Sequence, residues 1–170
     1  MNEFPKDHLE SLWAPWRVEY FQREPDAPRD FLLAAANGDD AEHFVVTRRK
    51  ATFLMLNRYP YTVGHMMAVP YRKVAGMDEL TDDESREIWA LCLHAQRLLK
   101  IVVKAQGFNV GVNLGSAGGA GCAEHIHFHI VPRWEGDSNF MPVIGGVRLL
   151  PDALERVYGA LRAAQAQVGG

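Results

Sequence analysis

The stretch HIHFHIVPRW, residues 125–134, limits the fold more than any other part of the chain. Histidine and apolar side chains alternate strictly, and a period of two belongs to a β-strand, whose successive side chains point to opposite faces. If residues 125–130 form a strand, His125, His127 and His129 share one face while Ile126, Phe128 and Ile130 share the other. The expected surroundings are a sheet packed on helix through its apolar side. The imidazoles then line an open surface or cleft on the other side.

The remaining segments supply such a sheet. HFVVT and ATFLMLN are short and β-rich, and the basic turn RRK between them suggests a hairpin. HMMAVP (65–70) reads as a third strand stopped by Pro70, and FNVGVNL (108–114) as a fourth. Between them Thr81 and Glu84 form a T-x-x-E capping box. Apolar residues then recur at Ile88, Leu91, Ala95, Leu98, Leu99, Val102 and Val103, which predicts a helix over 82–106 ended by Gly107. DFLLAAANGDD reads as a short helix ended near Gly38, and PDALERVYGALRAAQAQ as a C-terminal helix with Pro151 near its first turn. Short strands and a few helices without βαβ alternation indicate an α+β fold with a mainly antiparallel sheet.

A length of 170 residues fits one domain, 1–170. Within it, a core at about 43–134 follows an irregular N-terminal arm (1–40) and precedes an extension and helix (135–170). The formal net charge of −3 offers no electrostatic reason to expect nucleic acid or membrane as a partner. No apolar run approaches the ~20 residues that span a bilayer, and the start does not read as a secretory signal. Two cysteines, Cys92 and Cys122, make neither a disulfide framework nor a CxxC zinc pair, so a cytoplasmic location is expected.

Four readings compete for the histidines. Scattered ones such as His8, His43 and His94 are ordinary polar residues; three in register beside a glycine-rich loop ask for more. A metal site meets a geometric difficulty. On a straight strand His125 and His129 stand about 13 Å apart, while zinc–nitrogen bonds are only about 2 Å long. Two neighbours could share an ion, with His65 or Glu124 as helpers. A base serving Ser116 or Cys122 lacks a G-x-S-x-G elbow. The fourth reading makes a histidine the nucleophile, since neutral imidazole, with a pKa near ~6.5, is abundant at pH 7. Phosphorus is its natural electrophile, because NLGSAGGAGCAE places Gly115, Gly118, Gly119 and Gly121 where backbone N–H groups can cradle an anion. No Walker pattern is present.

HIHFHIVP matches the His-φ-His-φ-His-φ-φ signature (φ, apolar) and resembles the histidine triad (HIT) family. LNRYPYTVGHMMAVPYRK (56–73) is similar to the family's strand–turn–strand segment, and FNVGVNLGSAGGAG to the strand and phosphate loop before the triad. The likeness covers about residues 43–134, and Asn-Arg-x-Pro at 57–60 resembles the fragile-histidine-triad dinucleoside polyphosphate hydrolases. LWAPWR and GDSNFMPVIGG are similar to a bacterial branch.

The resemblance implies a HIT fold: a five-stranded, mainly antiparallel sheet with one long helix and a C-terminal helix. It makes His127 the nucleophile on the α-phosphate of an adenosine nucleotide. His129 then bonds the phosphate or leaving-group oxygen, His125 orients the attacking ring, and His65 is a fourth, supporting histidine. Asn57 contacts the ribose; Asn113 and the backbone of Gly119, Ala120 and Gly121 hold phosphate oxygens. Leu54 and Leu56 are either base-pocket walls or core. The loop between Asn113 and His125 is about one residue longer than in the simplest members, and Cys122 or Ala123 stands where many carry serine or glutamine. The implied activity is nucleotide hydrolysis or nucleotidyl transfer on dinucleoside polyphosphates or AMP conjugates, releasing AMP through a nucleotidyl-histidine. The alternatives are a phosphorylase using inorganic phosphate and a nucleotide binder with slow chemistry. No cofactor or protein-bound metal is implied, and any divalent cation arrives with the substrate. The small-molecule nucleotide is the expected partner, and a homodimer the expected assembly, with helix 82–106, Trp13, Trp16 and Trp134 as interface candidates.

Overall fold

The computed structural model describes residues 31–137 and 153–168. Its period-two segments become one sheet of five strands: β1 (Val45–Arg48), β2 (Thr52–Leu56), β3 (Met66–Pro70), β4 (Gly107–Val112) and β5 (Phe128–Arg133). The spatial order is β1-β2-β3-β5-β4, and every neighbouring pair is antiparallel. Among the described residues three α-helices accompany it: α1 (Phe31–Asn37), α2 (Asp82–Val102) and α3 (Leu154–Val168). This is the expected α+β architecture.

The sheet is covered on both sides, and β2 and β3 are buried at every position. Leu54, Leu56, Met66, Ala68, Phe128 and Ile130 pack against Ile88, Leu91, Ala95, Leu98 and Leu99 of α2, with Val157 and Leu161 of α3 joining the same core. The opposite face presents Phe53, Met55, Met67 and Val69, over which α1 lays Leu32 and Ala35. His129 is the cross-strand partner of Met67 and so shares this second face. Leu54 and Leu56 lie on the helix side, away from the histidines. They are core, and the reading of them as base-pocket walls is not supported.

Helix α2 starts as expected: Thr81 accepts from the Glu84 N–H, and the Glu84 carboxylate returns to the Thr81 N–H. It ends earlier than expected. Val103 is its C-cap, Lys104 takes a left-handed φ of 54°, and the Ala105 N–H turns back to Leu99 O. Gly107, expected as the stop, instead opens β4 opposite Arg133. Trp134 donates its indole N–H to Val103 O at 3.0 Å and packs on the α2 core, so it fastens the helix end. Trp13, Trp16, Pro151, the LWAPWR arm and GDSNFMPVIGG lie outside the described residues.

The two sheet edges differ. Beside β1, the side chains of α3 cap the outer carbonyls: Tyr158 donates to Val45 O, and Arg162 and Gln165 to Val46 O. A bulge between Val45 and Thr47 twists the same edge. On the far side, β4 exposes Asn109, Val110 and Gly111. No described helix is long and apolar enough to cross a membrane.

Candidate active site

The histidine segment is not strand throughout. The ladder of β5 begins at Phe128, so His129 sits in the sheet while His125 and His127 precede it on an extended approach. The Ile126 N–H holds that approach by bonding Val74 O at 2.7 Å. The expected open histidine face is also closed: His125, His127 and His129 are 0%, 6% and 8% exposed, and His65 is fully buried.

Buried imidazoles need defined partners, and here the partners decide which nitrogen carries the proton. His127 Nδ1 lies 2.9 Å from the main-chain oxygen of His125, and a carbonyl can only accept. The Nδ1–H therefore donates, and the Nε2 of neutral His127 carries a lone pair. His125 in turn donates its Nε2–H to Pro70 O at 2.9 Å. The element that orients the His127 ring is thus the backbone carbonyl of residue 125, while the His125 ring ties the segment to the end of β3.

The fourth histidine joins this cluster from the β2–β3 turn. The Tyr61 main-chain N–H donates to His65 Nδ1 at 3.1 Å, and the Asn57 amide nitrogen lies 3.4 Å from the same atom. Asn57 is turned that way because its Oδ1 accepts from the Tyr59 N–H at 2.9 Å. His65 Nε2 is 3.0 Å from His129 Nδ1. Tyr61 lays its ring against both, with centroids 4.6 Å from His65 and 5.6 Å from His129. The rings of His127 and His129 meet edge to face at 4.8 Å. Asn57, a sequence candidate for the ribose, is 7% exposed and holds His65.

The glycine loop follows β4 and returns the chain to the histidines. Gly115 and Gly119 take φ of +67° and +84°, and a Cβ on Gly118 would meet Leu114 O at 2.3 Å, so glycine is required at these places. The Gly118 and Ala120 N–H groups bond Gly115 O, and the Gly119 N–H bonds Ser116 O. These three amides are committed to the turn's own carbonyls. Asn113 reaches Gly119 O at 3.5 Å, a long bond on an exposed stretch. Cys122 is buried on the histidine face, and its carbonyl accepts from the His125 N–H. Among the described residues, no three of His, Cys, Asp or Glu form a group that could hold a metal ion.

Sequence reasoning missed Tyr61 and the main-chain acceptors Pro70 O and His125 O. Tyr61 stood inside the segment quoted for its family likeness, between Asn57 and His65, which was the available signal. Carbonyl acceptors leave none.

The model of the HIT domain matches residues 39–136, more than half of the chain, so the protein belongs to the HIT family. A Mycobacterium tuberculosis protein named AP-4-A phosphorylase is 43% identical over 157 residues, covering 88% of this chain and 80% of that one. A bis(5'-adenosyl)-triphosphatase of Saccharomyces cerevisiae is 32% identical over 92 residues, 54% of this chain and 44% of its own. Among solved structures, a zinc-bound histidine triad family protein from Mycobacterium smegmatis superposes with a TM-score of 0.61 at 27% identity, covering 73% of this chain and 84% of that one.

Proposed function

We propose that this HIT protein is a nucleotide hydrolase or nucleotidyl transferase that attacks the α-phosphate of adenylylated substrates, dinucleoside polyphosphates above all. The observation that carries the reading is the pairing of opposite ring nitrogens. His127 offers a lone pair at Nε2 because its Nδ1–H is held by His125 O, and the ring of His129 lies beside it. The Nε2 lone pair of His127 forms the N–P bond, and the leaving oxygen departs with the P–O electron pair. The ring stays protonated at Nδ1 in the nucleotidyl-histidine. Water then attacks phosphorus and gives up one proton to solvent, the N–P electron pair returns to Nε2, and AMP leaves. His129 bonds the phosphate or leaving-group oxygen during both displacements, and loop amides with Asn113 hold the non-bridging oxygens.

A second reading is favoured by the 43% identical relative, whose name specifies a phosphorylase. In that case inorganic phosphate replaces water in the second step and the product is ADP. The deciding assay follows AMP and ADP release from a diadenosine polyphosphate with and without inorganic phosphate, alongside His127→Ala. Metal-independent AMP release that the variant lacks supports the hydrolase. ADP formed only with phosphate moves the assignment to the phosphorylase, and equal turnover by His127→Ala refutes the nucleophile in both.

The assembly we propose is a homodimer joined at the β4 edge, the edge that α3 leaves open. On α2, His94 is directed to Thr47 of β1 and so marks the α3 side. Trp89 lies about 140° around the helix from it, away from the α3 side. Trp89 and Leu93 are exposed at 59% and 55%, and Val110 of β4 at 37%, apolar side chains that a second copy would cover in this assembly. Residence in the cytoplasm accords with Cys92 and Cys122 as buried thiols.

A further inference from the structure

We infer that His129 is held as a neutral hydrogen-bond donor, through a relay that begins at the Tyr61 main-chain N–H, and that the enzyme therefore expels phosphate-anhydride anions without protonating them. The inference rests on the nucleotidyl-transfer reading and narrows its leaving group. An amide N–H donates and never accepts, so His65 Nδ1, 3.1 Å from the Tyr61 nitrogen, must carry a lone pair. The Asn57 amide, committed in orientation by the Tyr59 N–H, adds a second donor at the same atom. Neutral His65 then keeps its proton at Nε2 and donates it to His129 Nδ1 at 3.0 Å. His129 in turn keeps its one proton at Nε2.

An extra proton is disfavoured at both ends. On His129 Nδ1 it would oppose the His65 Nε2–H; were His65 to turn over its tautomer to accept it, the new Nδ1–H would oppose Tyr61 and Asn57. Among the described residues, the titratable groups whose rings lie against the pair include His127, just before β5, and the Tyr61 side chain. Opposite His129, β3 and β4 present Met67 and Gly111. Burial adds to the bias, since His65 is fully buried and His129 is 8% exposed.

A neutral imidazole can give a hydrogen bond to a developing oxyanion but does not readily surrender its last proton. In the first step the His127 Nε2 lone pair forms the N–P bond. The P–O bond to the leaving group breaks, and its electron pair stays on a phosphate oxygen that departs as the anion, bonded to the His129 Nε2–H. No proton changes hands. Such a site suits a nucleoside polyphosphate as leaving group and serves poorly for an amine or an alkoxide. Tyr61, Asn57 and His65 are positioning residues in this scheme.

The direct test is nitrogen-15 NMR of the histidine-labelled full chain from pH 6 to 9, with His129→Gln to assign the signal. The expected pattern is neutral His129 protonated at Nε2 across the range; an imidazolium or an Nδ1-protonated ring at pH 7 overturns the inference. The kinetic test uses AMP aryl phosphodiesters of graded phenol basicity. Wild type should slow steadily as the phenol becomes more basic. His65→Gln, whose amide still donates to Nδ1, should slow in parallel from a lower rate. His65→Glu, whose carboxylate accepts from an Nδ1–H and so favours the imidazolium, should show a flatter dependence. General-acid catalysis typically contributes about 10²–10⁴-fold, so an AMP phosphoramidate should be cleaved at least about 10²-fold more slowly than diadenosine polyphosphate. A flat wild-type series, or comparable rates on the two substrates, overturns the proposal. If His65→Glu fails to fold, the wild-type series and the spectra still decide. Wild type that cleaves no adenylylated substrate would refute the nucleotidyl-transfer reading instead, while the spectra still report the tautomer.

Discussion

Glu84 makes a prediction whose size can be worked from the structure. Its carboxylate, 4% exposed, accepts from Arg72 twice at 2.8 Å, from the Thr81 N–H at 2.8 Å and from the Thr81 hydroxyl at 3.0 Å. Hydrogen bonding to the Arg72 guanidinium, with help from Thr81, lowers its pKa from 4.5 to about 2. At 1.36 kcal/mol per unit this amounts to about 3 kcal/mol favouring the folded state. Arg72 is 52% exposed, so solvent screens part of the interaction, and about 2 kcal/mol is the working figure. Because the folded pKa lies below the unfolded one, this stabilisation is complete above about pH 4.5 and drains away as the pH falls toward 2. Urea unfolding of wild type and Glu84→Gln between pH 2 and 7 should show the variant weaker by about 2 kcal/mol at pH 7 and the two curves converging in acid. Curves that stay parallel at every pH would show that the loss comes from the cap alone and that the ion pair contributes nothing.

Two further outcomes are expected. Leu54→Ala and Leu56→Ala should each cost about 2–5 kcal/mol in urea unfolding while leaving the KM for a dinucleoside polyphosphate unchanged, since both side chains fill the helix-side core. A raised KM in a fully folded variant would return them to the substrate. Trp89→Asp should halve the mass measured by sedimentation equilibrium, because it sets a charge on the apolar surface proposed for the dimer; an unchanged mass would remove α2 from the interface.

The parts of the fold written in local patterns were legible in the sequence. The capping box at Thr81 and Glu84, the strand runs around Phe53 and Ala68, and the glycines at 115 and 119 each follow from the residue's own conformational preference. The end of α2 did not, because Gly107 is wanted by Arg133 across the sheet and Lys104 takes the left-handed turn instead. The same limit separated Leu54 from Met55. Adjacent apolar residues in a buried strand look alike in sequence, and only the register of His129 against Met67 says which face carries the histidine. Of the site, the four histidines and Asn57 were readable as residue types. Their division of labour was not, since it depends on main-chain atoms.

That division follows from where the β5 ladder begins. His127 lies before it, and its Nδ1 turns to the carbonyl two residues back. His129, two residues on, sits within the ladder, and the group at its Nδ1 is a side chain from the β2–β3 turn. One imidazole is thereby obliged to donate at Nδ1 and the other to accept there, so the same amino acid presents a lone pair at one Nε2 and a proton at the next. The two ring orientations thus go with a strand that starts at Phe128 and not at His125.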